Sequence, residues 1–466
     1  MGNQGITEEI GGFVAGLRYE DLTPAVLNRA RNCILDGTGV MLAGLNELSV
    51  KIIRDFILSS GSSGESTLLG KGQNRVPAHF AALLYGIAGH SMDWDDTAIS
   101  IRPDRGVLLH PTMPPLASGL SVGEVLHVSG REFLAAFIAG FEVECKLAES
   151  ISVDHRTRGY HTSGTCGIFG STVTASKLMK LPLEKVQMAL GIAASMSAGI
   201  DVQLGTMTKP LHVGRASENG VTAASLARLG FEASPHALEG PEGFYQAYGG
   251  DFEPSQISGK LGLPFSIMQP GASVKPYPCG VVGQSIMDAV RTIKERDAFR
   301  HEEVDFIKVR TSSNILPPKG PLKYRRAENA LQAKFCIPFQ VAAIVIRNKA
   351  GMMEFTDEFV RSPEVQDMMN RVETNVEPSF DVLGSNRYMG IFEVHLRNGR
   401  ILEGKTPELL RGSPENPLSY EELTEKFRDC VQNSLTPGRA LELIDIIEKI
   451  ETLDDIGVLA NFLAIS

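Results

Sequence analysis

The chain has 466 residues, of which 43% are apolar and 21% charged, and its net charge is −10. This composition predicts a globular protein of about three domains, or of one large and one small domain. The net negative charge argues against nucleic acid or an anionic membrane as the main partner. The six cysteines are widely spaced, which predicts reduced thiols. With no visible signal peptide and no apolar run long enough to cross a bilayer, we expect a cytoplasmic protein.

The first 265 residues have the periodicity of helices. An opening helix carries Ile6, Ile10 and Phe13 on one face, and a second helix follows Pro24. Several later segments are rich in Ala, Gly and Ser, which lets helix axes approach closely and predicts a compact bundle with buried central helices. The further helices predicted in this region cover residues 48–59, 77–89, 114–126, 130–150, 167–180, 183–198 and 213–229.

The pattern changes after Gly271. Apolar residues alternate in three segments, which predicts strands. After the last of them, Asn398-Gly399 precedes a short returning strand over residues 400–403. This arrangement is typical of a β-hairpin. The strands predicted here cover residues 304–311, 372–376 and 391–396. The helices predicted in this region and the tail cover residues 281–295, 328–347, 420–431 and 437–450.

The predicted fold class is therefore mainly α with an α+β second domain. We expect a large all-α domain over residues 1–269, completed by residues 411–466, and a smaller α+β domain over residues 270–410. The chain contains no phosphate-binding or dinucleotide-binding glycine loop, no nucleophile elbow and no HExxH motif. Any chemistry must therefore come from side chains that separate segments bring together.

Two polar segments lie in the first part of the bundle. Residues 89–97, GHSMDWDDT, hold a histidine, three carboxylates and the single tryptophan of the chain. These groups suit acid–base chemistry, but Asp95 or Asp96 would equally well cap a helix, and a metal site on His90 and Asp93 is a weaker alternative. In the second segment Pro111 follows His110, which is either a general acid or base or a structural histidine.

Three further segments combine polar groups with glycine or proline. His161 lies in a glycine-bounded stretch before a small-residue helix, where it either meets a substrate carboxylate or caps the helix. Lys209, His212 and Arg215 step by three and share a face if the segment is helical; they bind anions or pair with Asp93, Asp95 or Asp96. Lys275 lies in KPYPCG at the domain boundary, where ligand sites concentrate but where a stiff linker also fits.

Together, these segments resemble the MmgE/PrpD family. Seven runs match its pattern in the expected order: GHSMDWDDT, HPTMPPLASGL, GYHTSGTCGIFGSTVTASKL, ALGIAASMSAG, GTMTKPLHVGRASENG, ALEGPEGF and KPYPCG. The family includes 2-methylcitrate dehydratase, cis-aconitate decarboxylase and an iminodisuccinate epimerase. The resemblance implies an all-α domain, an inserted α+β domain with the active site in the cleft between them, a homodimer, and no organic cofactor or metal.

The resemblance also implies site residues. The decarboxylase pattern carries over onto five positions: Asp93, Thr97, His110, His161 and Lys209. Two features depart from it, because Gly280 and Gln284 stand where the family often has a histidine, and Phe339 aligns with a tyrosine. These changes remove proton-transfer groups, so they argue against a cis-aconitate decarboxylase and weaken methylcitrate dehydration.

The leading hypothesis is a cofactor-independent lyase for a small di- or tricarboxylate, foremost a dehydratase of a citrate-like 2-hydroxy acid. The alternatives are a cis-aconitate-type decarboxylase, an epimerase of an iminodisuccinate-like dicarboxylate, and a non-catalytic carboxylate-binding paralogue. His110 and His161 are the acid–base candidates, and Asp93 orients an imidazole or acts as base. The expected carboxylate-binding residues are Thr97, Lys209, His212, Arg215 and Lys275.

Overall fold

The computed structural model describes residues 5–100, 102, 108–317, 320–383 and 388–465. Its helices in chain order are α1 Ile6–Gly16, α2 Pro24–Gly44, α3 Leu48–Ser59, α4 Ala78–Ser91, α5 Met113–Leu126, α6 Gly130–Ser150, α7 Asp154–Thr157, α8 Thr162–Thr165, α9 Gly167–Leu178, α10 Leu183–Met196, α11 Thr208–Leu229, α12 Gln284–Asp297, α13 Ala330–Ala333, α14 Ile337–Arg347, α15 Asp357–Arg361, α16 Pro363–Asn370, α17 Tyr420–Val431, α18 Pro437–Glu448 and α19 Gly457–Leu463. Its strands are β1 Ser66–Thr67, β2 Gly70–Lys71, β3 Arg75–Val76, β4 Val304–Thr311, β5 Val372–Val376, β6 Gly390–Leu396, β7 Ile401–Lys405 and β8 Ala464–Ile465.

The chain divides into two compact units. The larger unit contains the residues up to Gln203, Thr208–Ser273 and the residues from Tyr420 onward. The smaller unit contains Leu204–Met207 and Val274–Ser419. The larger unit is built almost wholly of helices, whereas the smaller one combines helices with a four-stranded sheet. The predicted fold class, mainly α with an α+β part, is therefore confirmed.

Buried helices form the centre of the larger unit. Helix α11 packs along α4 and α9, and α9 also packs against α5 and α6. Glycines allow the closest of these approaches. A Cβ on Gly86 of α4 would lie 2.9 Å from the Cα of Gly214 on α11, and one on Gly214 would lie 2.7 Å from the carbonyl oxygen of Leu83. Small residues at helical spacing thus bring α4 and α11 together, as the composition predicted.

Local signals in the sequence define several helix starts. The hydroxyl of Ser129 accepts from the backbone N–H of Glu132, and the Glu132 carboxylate accepts from the Ser129 N–H, so the two residues form a capping box at the start of α6. Thr23 caps α2, where Pro24 occupies the first turn. These helices begin where the backbone N–H groups find side-chain acceptors.

A mixed sheet forms the centre of the smaller unit, with strand order β5-β4-β6-β7. Strands β4 and β5 run parallel, whereas β6 runs antiparallel to both β4 and β7. Alternate residues of β6 are buried, as the period of a strand with one covered face requires. Gly399 adopts a positive φ of 87° between β6 and β7, which confirms the predicted hairpin.

Two predicted helices differ from the structure. The segment 328–347 is divided into α13 and α14, because Pro338 in the first turn of α14 has no N–H to continue a helix from α13, and the backbone of Cys336 is extended. The helix predicted from residue 213 instead begins at Thr208, with Pro210 in its first turn, where a missing N–H costs nothing.

All six cysteines are buried free thiols, as their spacing predicted. Within the described part of the chain, no helix combines the length and the apolar character needed to span a bilayer.

Candidate active site

The polar segment after α4 is held within the larger unit by the C-terminal helix α17. Lys426 of α17 donates a hydrogen bond to the carbonyl oxygen of Trp94 over 2.8 Å and forms a 2.6 Å ion pair with Asp36 of α2. Its ammonium also lies over the indole ring, 5.4 Å from the ring centroid. These contacts fix the carboxylates on either side of Trp94.

Asp95 joins two histidines. Its Oδ2 lies 2.7 Å from Nδ1 of His90, at the end of α4, and 3.1 Å from Nδ1 of His110, before α5. Asp95 and His90 are completely buried, and His110 is nearly so. The two imidazole rings meet edge to face, with centroids 4.5 Å apart. One carboxylate therefore orients both rings.

Lys209 supplies a buried positive charge beside this group. Its Nζ lies 2.6 Å from Oδ1 of Asp93, and both side chains are about 95% buried. Asp93 adopts a left-handed conformation with φ of 53°, which is uncommon outside glycine and is best tolerated by Asn and Asp. Such backbone strain concentrates at functional sites. The Lys209–Asp93 pairing is one of the structural salt bridges that the sequence left open.

His161 and His212 complete an imidazole cluster. Their Nδ1 atoms lie 3.0 Å apart, so that one donates a hydrogen bond to the other. The ring of His161 also stacks on His90 with a centroid distance of 5.8 Å. His161 precedes the short helix α8, and its backbone N–H donates to the carbonyl of Gly199. His110 and His161 thus contact the ring of His90, and His212 joins the cluster through His161.

His90, His161 and His212 are neutral while Asp95 is charged. Burial lowers the pKa of His90 to about 3 and that of His212 to about 4. Burial and the nearby His90 and Lys209 also hold the pKa of His161 well below its usual value. Burial alone would raise the pKa of Asp95, but the contacts with His110 and His90 hold it well below its usual range. These three imidazoles are therefore uncharged hydrogen-bonding groups near neutral pH.

Asp96 and Thr97 face different partners. Both oxygens of Asp96 accept from Thr112, one from its N–H over 3.3 Å and one from its hydroxyl over 2.7 Å, so Asp96 supports the start of α5. Burial raises the pKa of Asp96 to about 7. The Thr97 backbone pairs with Ser273, and its buried hydroxyl has no hydrogen-bond partner among the described residues. That hydroxyl is available to a ligand.

Arg215 does not join the cluster. It is paired with Glu218 over 2.5 Å, and half of its side chain is exposed. The prediction that Lys209, His212 and Arg215 share one face of the helix is wrong for Lys209 and Arg215. At roughly 100° per residue, the six positions from Lys209 to Arg215 leave the two side chains about 120° apart around α11.

The other predicted positions belong to the smaller unit. Lys275 is buried there. Gln284 at the start of α12 donates to the carbonyls of Tyr277 and Cys279 and so secures the loop that contains Gly280. Phe339 is completely buried, 5.1 Å from the ring of Phe355. Gln284 and Phe339 thus stabilise the local structure of the smaller unit.

One group of described residues has donor atoms close enough to hold a metal ion: His90, Asp95 and His110. The predicted alternative of His90 with Asp93 is not the pair that the structure brings together. Nδ1 of His90 forms a 2.7 Å hydrogen bond with Asp95, whereas Nδ1 of His110 lies 3.1 Å from the same oxygen, within ion-pair distance. A proton explains the shorter contact, and independence from a metal stays a prediction.

Sequence reasoning missed His90 and Asp95 as site residues. His90 ends a helix whose last eleven residues are all buried, and Asp95 follows it by five positions. An ionisable side chain at the end of such an apolar helix needs a partner, because burying it alone is costly. The need for a partner could therefore have indicated His90 as a site residue. It does not identify which of the neighbouring carboxylates, Asp93, Asp95 or Asp96, is that partner.

Comparison with family models gives two matches along the chain. Residues 8–257 match the family described as "MmgE/PrpD N-terminal domain", and residues 277–452 match "MmgE/PrpD C-terminal domain". The chain belongs to the MmgE/PrpD family. The two matches cover most of the chain, including each residue of the imidazole cluster.

Individual MmgE/PrpD proteins are similar over nearly the whole length. A cis-aconitate decarboxylase of Mus musculus is 27% identical, over 98% of this chain and 93% of its own length. A cis-aconitate decarboxylase of Homo sapiens is 28% identical, over 98% and 94%. One of Aspergillus terreus is 23% identical, over 98% and 96%.

Proposed function

We propose that this chain is a lyase that decarboxylates a small unsaturated tricarboxylate of the cis-aconitate class without an organic cofactor or metal. The observation that carries the proposal is the buried cluster of Lys209 with four imidazoles in a chain whose full-length relatives are named cis-aconitate decarboxylases. The cluster combines a cation for carboxylates with proton-transfer groups, which are what this reaction needs.

The substrate's negative charges explain why a neutral imidazole cluster is useful. Lys209 and the hydroxyl of Thr97 receive carboxylates, and Asp93 holds the Lys209 ammonium in place. Bound carboxylates favour the imidazolium form, because an opposite charge within a few ångströms raises the pKa of a histidine. Substrate binding therefore favours a protonated His161 or His110, and His212 can pass a proton to His161 through their hydrogen bond.

That proton completes the reaction. The bond between a carbon and its carboxylate breaks, CO2 leaves, and the electron pair passes into the neighbouring carbon–carbon double bond. The far carbon of that bond accepts a proton from His161 or His110, and the double bond moves by one position. Lys209 stabilises the negative charge that develops on the remaining carboxylates.

Dehydration of a citrate-like 2-hydroxy acid was the leading hypothesis from sequence, and the relatives favour the decarboxylase alternative instead. The argument against decarboxylation was the loss of proton donors at Gly280, Gln284 and Phe339. Because the larger unit contains four clustered histidines, the chain does not need a donor at those three positions. Epimerisation remains an outcome to be tested.

The deciding experiment uses the purified protein, EDTA and deuterated water, with cis-aconitate and 2-methylcitrate as substrates followed by NMR. We expect cis-aconitate to lose CO2 and to yield a product with one deuterium on carbon, and Lys209→Met to abolish this. Dehydration of 2-methylcitrate with unreacted cis-aconitate would overturn the proposal. So would deuterium exchange into an unreacted dicarboxylate, which would indicate an epimerase, or binding without turnover.

We also propose that the chain forms a homodimer, as the family resemblance implies, and that it works in the cytoplasm, where buried reduced thiols such as these persist. Light scattering coupled to gel filtration tests the first statement, since a monomeric mass would contradict it. Fractionation of the native cell tests the second.

A further inference from the structure

A cavity away from the candidate active site lies in the larger unit. It is lined by residues from the end of α1, the turn after it, the start of α6 and the end of α9. Its volume is about 370 Å³, within the range of small-molecule sites. The floor is apolar and well buried, formed by Val14, Ala135, Leu178 and Leu181. None of the residues assigned to the candidate active site lines it.

Four basic side chains line this cavity, and two of them form no ion pair with a carboxylate among the described residues. Lys180 pairs with Glu132 over 2.9 Å, and Arg18 pairs with Asp21 over 3.4 Å. Arg131 has no ion pair within the described part of the chain; its guanidinium lies 5.1 Å from the centroid of the Tyr19 ring.

Lys177 is the second basic side chain of the cavity that forms no ion pair with a carboxylate among the described residues. Its Nζ donates to the backbone carbonyls of Val14 over 2.8 Å and Leu17 over 2.5 Å, at the end of α1. Its hydrogen bonds go to neutral groups, and no carboxylate among the described residues lies within ion-pair distance, although the charge of Asp21 acts on it from farther away. A half-buried ammonium in this setting gains from an anion, because burial without a counter-charge is costly.

The acidic side chains that face the cavity do not supply this anion. Glu132 already serves as the N-terminal cap of α6 and as the partner of Lys180. Glu20 is exposed at the rim. The cavity thus combines an apolar floor, one aromatic ring and two cations without carboxylate partners.

We propose that this cavity is a second ligand site, which binds a small organic anion with an apolar body, such as a carboxylate or a phosphate monoester. The apolar part lies on Val14 and Leu178, and the anionic group meets Arg131 and Lys177. A guanidinium held against an aromatic ring is well suited to such an anion, because its planar donors match carboxylate and phosphate oxygens.

Calorimetric titration of the whole protein with phenyl phosphate tests the site. We expect a Kd at or below about 1 mM, with phenol and inorganic phosphate at least about tenfold weaker. Arg131→Gln should weaken phenyl phosphate binding at least about tenfold, whereas the exposed Arg228→Gln should not. Ala15→Trp, which fills the cavity from an exposed position of α1, should abolish binding.

Each contrary result is informative. Unchanged affinity in Arg131→Gln and Ala15→Trp would overturn the proposal, and so would equal affinity for phenol or for inorganic phosphate. Loss of phenyl phosphate binding in Lys209→Met would mean that the probe occupies the candidate active site, and would overturn it too. Turnover of the proposed tricarboxylate is expected to be normal in Arg131→Gln, so the two sites are tested separately.

Discussion

Oδ2 of Asp95 lies 3.1 Å from Nδ1 of His110, a residue fifteen positions later in the chain. The same oxygen lies 2.7 Å from Nδ1 of His90. A carboxylate that accepts from Nδ1–H of His90 leaves Nε2 of that ring as a proton acceptor, and its charge beside Nδ1 of His110 favours a proton there as well. Asp95 is thus a positioning residue for the imidazole cluster.

The first prediction concerns this role. Asp95→Asn should lower kcat at least about 10²-fold, because a neutral amide removes the negative charge that lies beside Nδ1 of both imidazoles and stabilises their protonated forms. KM should change little, since Lys209 and Thr97 are untouched. Steady-state kinetics measure the split between the two constants. Asp55→Asn on the exposed face of α3 is the control, and normal kcat in Asp95→Asn would show that Asp95 is only structural.

The second prediction concerns the buried ion pair. Lys209→Met leaves the Asp93 carboxylate without its ammonium partner, which should lower the free energy of unfolding by about 3–5 kcal/mol. The double variant Asp93→Asn with Lys209→Met should recover most of this stability, since Asn tolerates the left-handed backbone at position 93, yet remain inactive. Urea unfolding and turnover assays report the two effects. If the double variant is active, Lys209 is not required for the reaction.

The third prediction separates catalysis from packing in the histidines. His161→Ala and His110→Ala should each lower kcat at least about 10²-fold with the fold intact, because general acid–base groups contribute on this scale. The exposed His127→Ala should have normal kcat, although it loses a contact with Asp455. Kinetics and unfolding midpoints together decide the matter. Normal turnover in destabilised variants would make both residues core histidines.

The fourth prediction is a pH dependence of stability at Asp96. Its pKa is about 7 in the folded protein, above the ordinary value near 4. Between pH 4 and 7 the folded state therefore keeps a proton that the unfolded state loses, and stability falls as the pH rises, by about 1.4 kcal/mol per pH unit at most. Asp96→Asn removes this loss, so its stability relative to the wild type should increase from pH 4.5 to 7.5. Denaturant unfolding at both values measures it, and a constant difference would contradict it.

The fifth prediction concerns metals. Because a hydrogen bond already joins His90 to Asp95 and the family resemblance implies no metal, activity should survive exhaustive dialysis against EDTA. Turnover before and after chelation is compared, with metal content measured on the same samples. Activity that disappears on chelation and returns with added zinc or iron would identify the group as a metal site.

The sequence by itself determined the local structure. The capping box at Ser129, the proline after Thr23 and the turn at Asn398-Gly399 act through neighbouring backbone groups, so helices and a hairpin follow from them directly. The fold class could be predicted for the same reason. The polar segments and the family resemblance also predicted His110, His161 and Lys209 as site residues, and all three are buried near one another.

Only the tertiary structure decided which partners these groups have. Lys209 and Asp93 are 116 positions apart, and their contact depends on how closely α4 and α11 pack at Gly86 and Gly214. The same packing brings His90 into the cluster, while the turn of α11 directs Arg215 to solvent. Side-chain pairing across such distances is set by the angle and spacing of whole helices, which a local residue pattern does not contain.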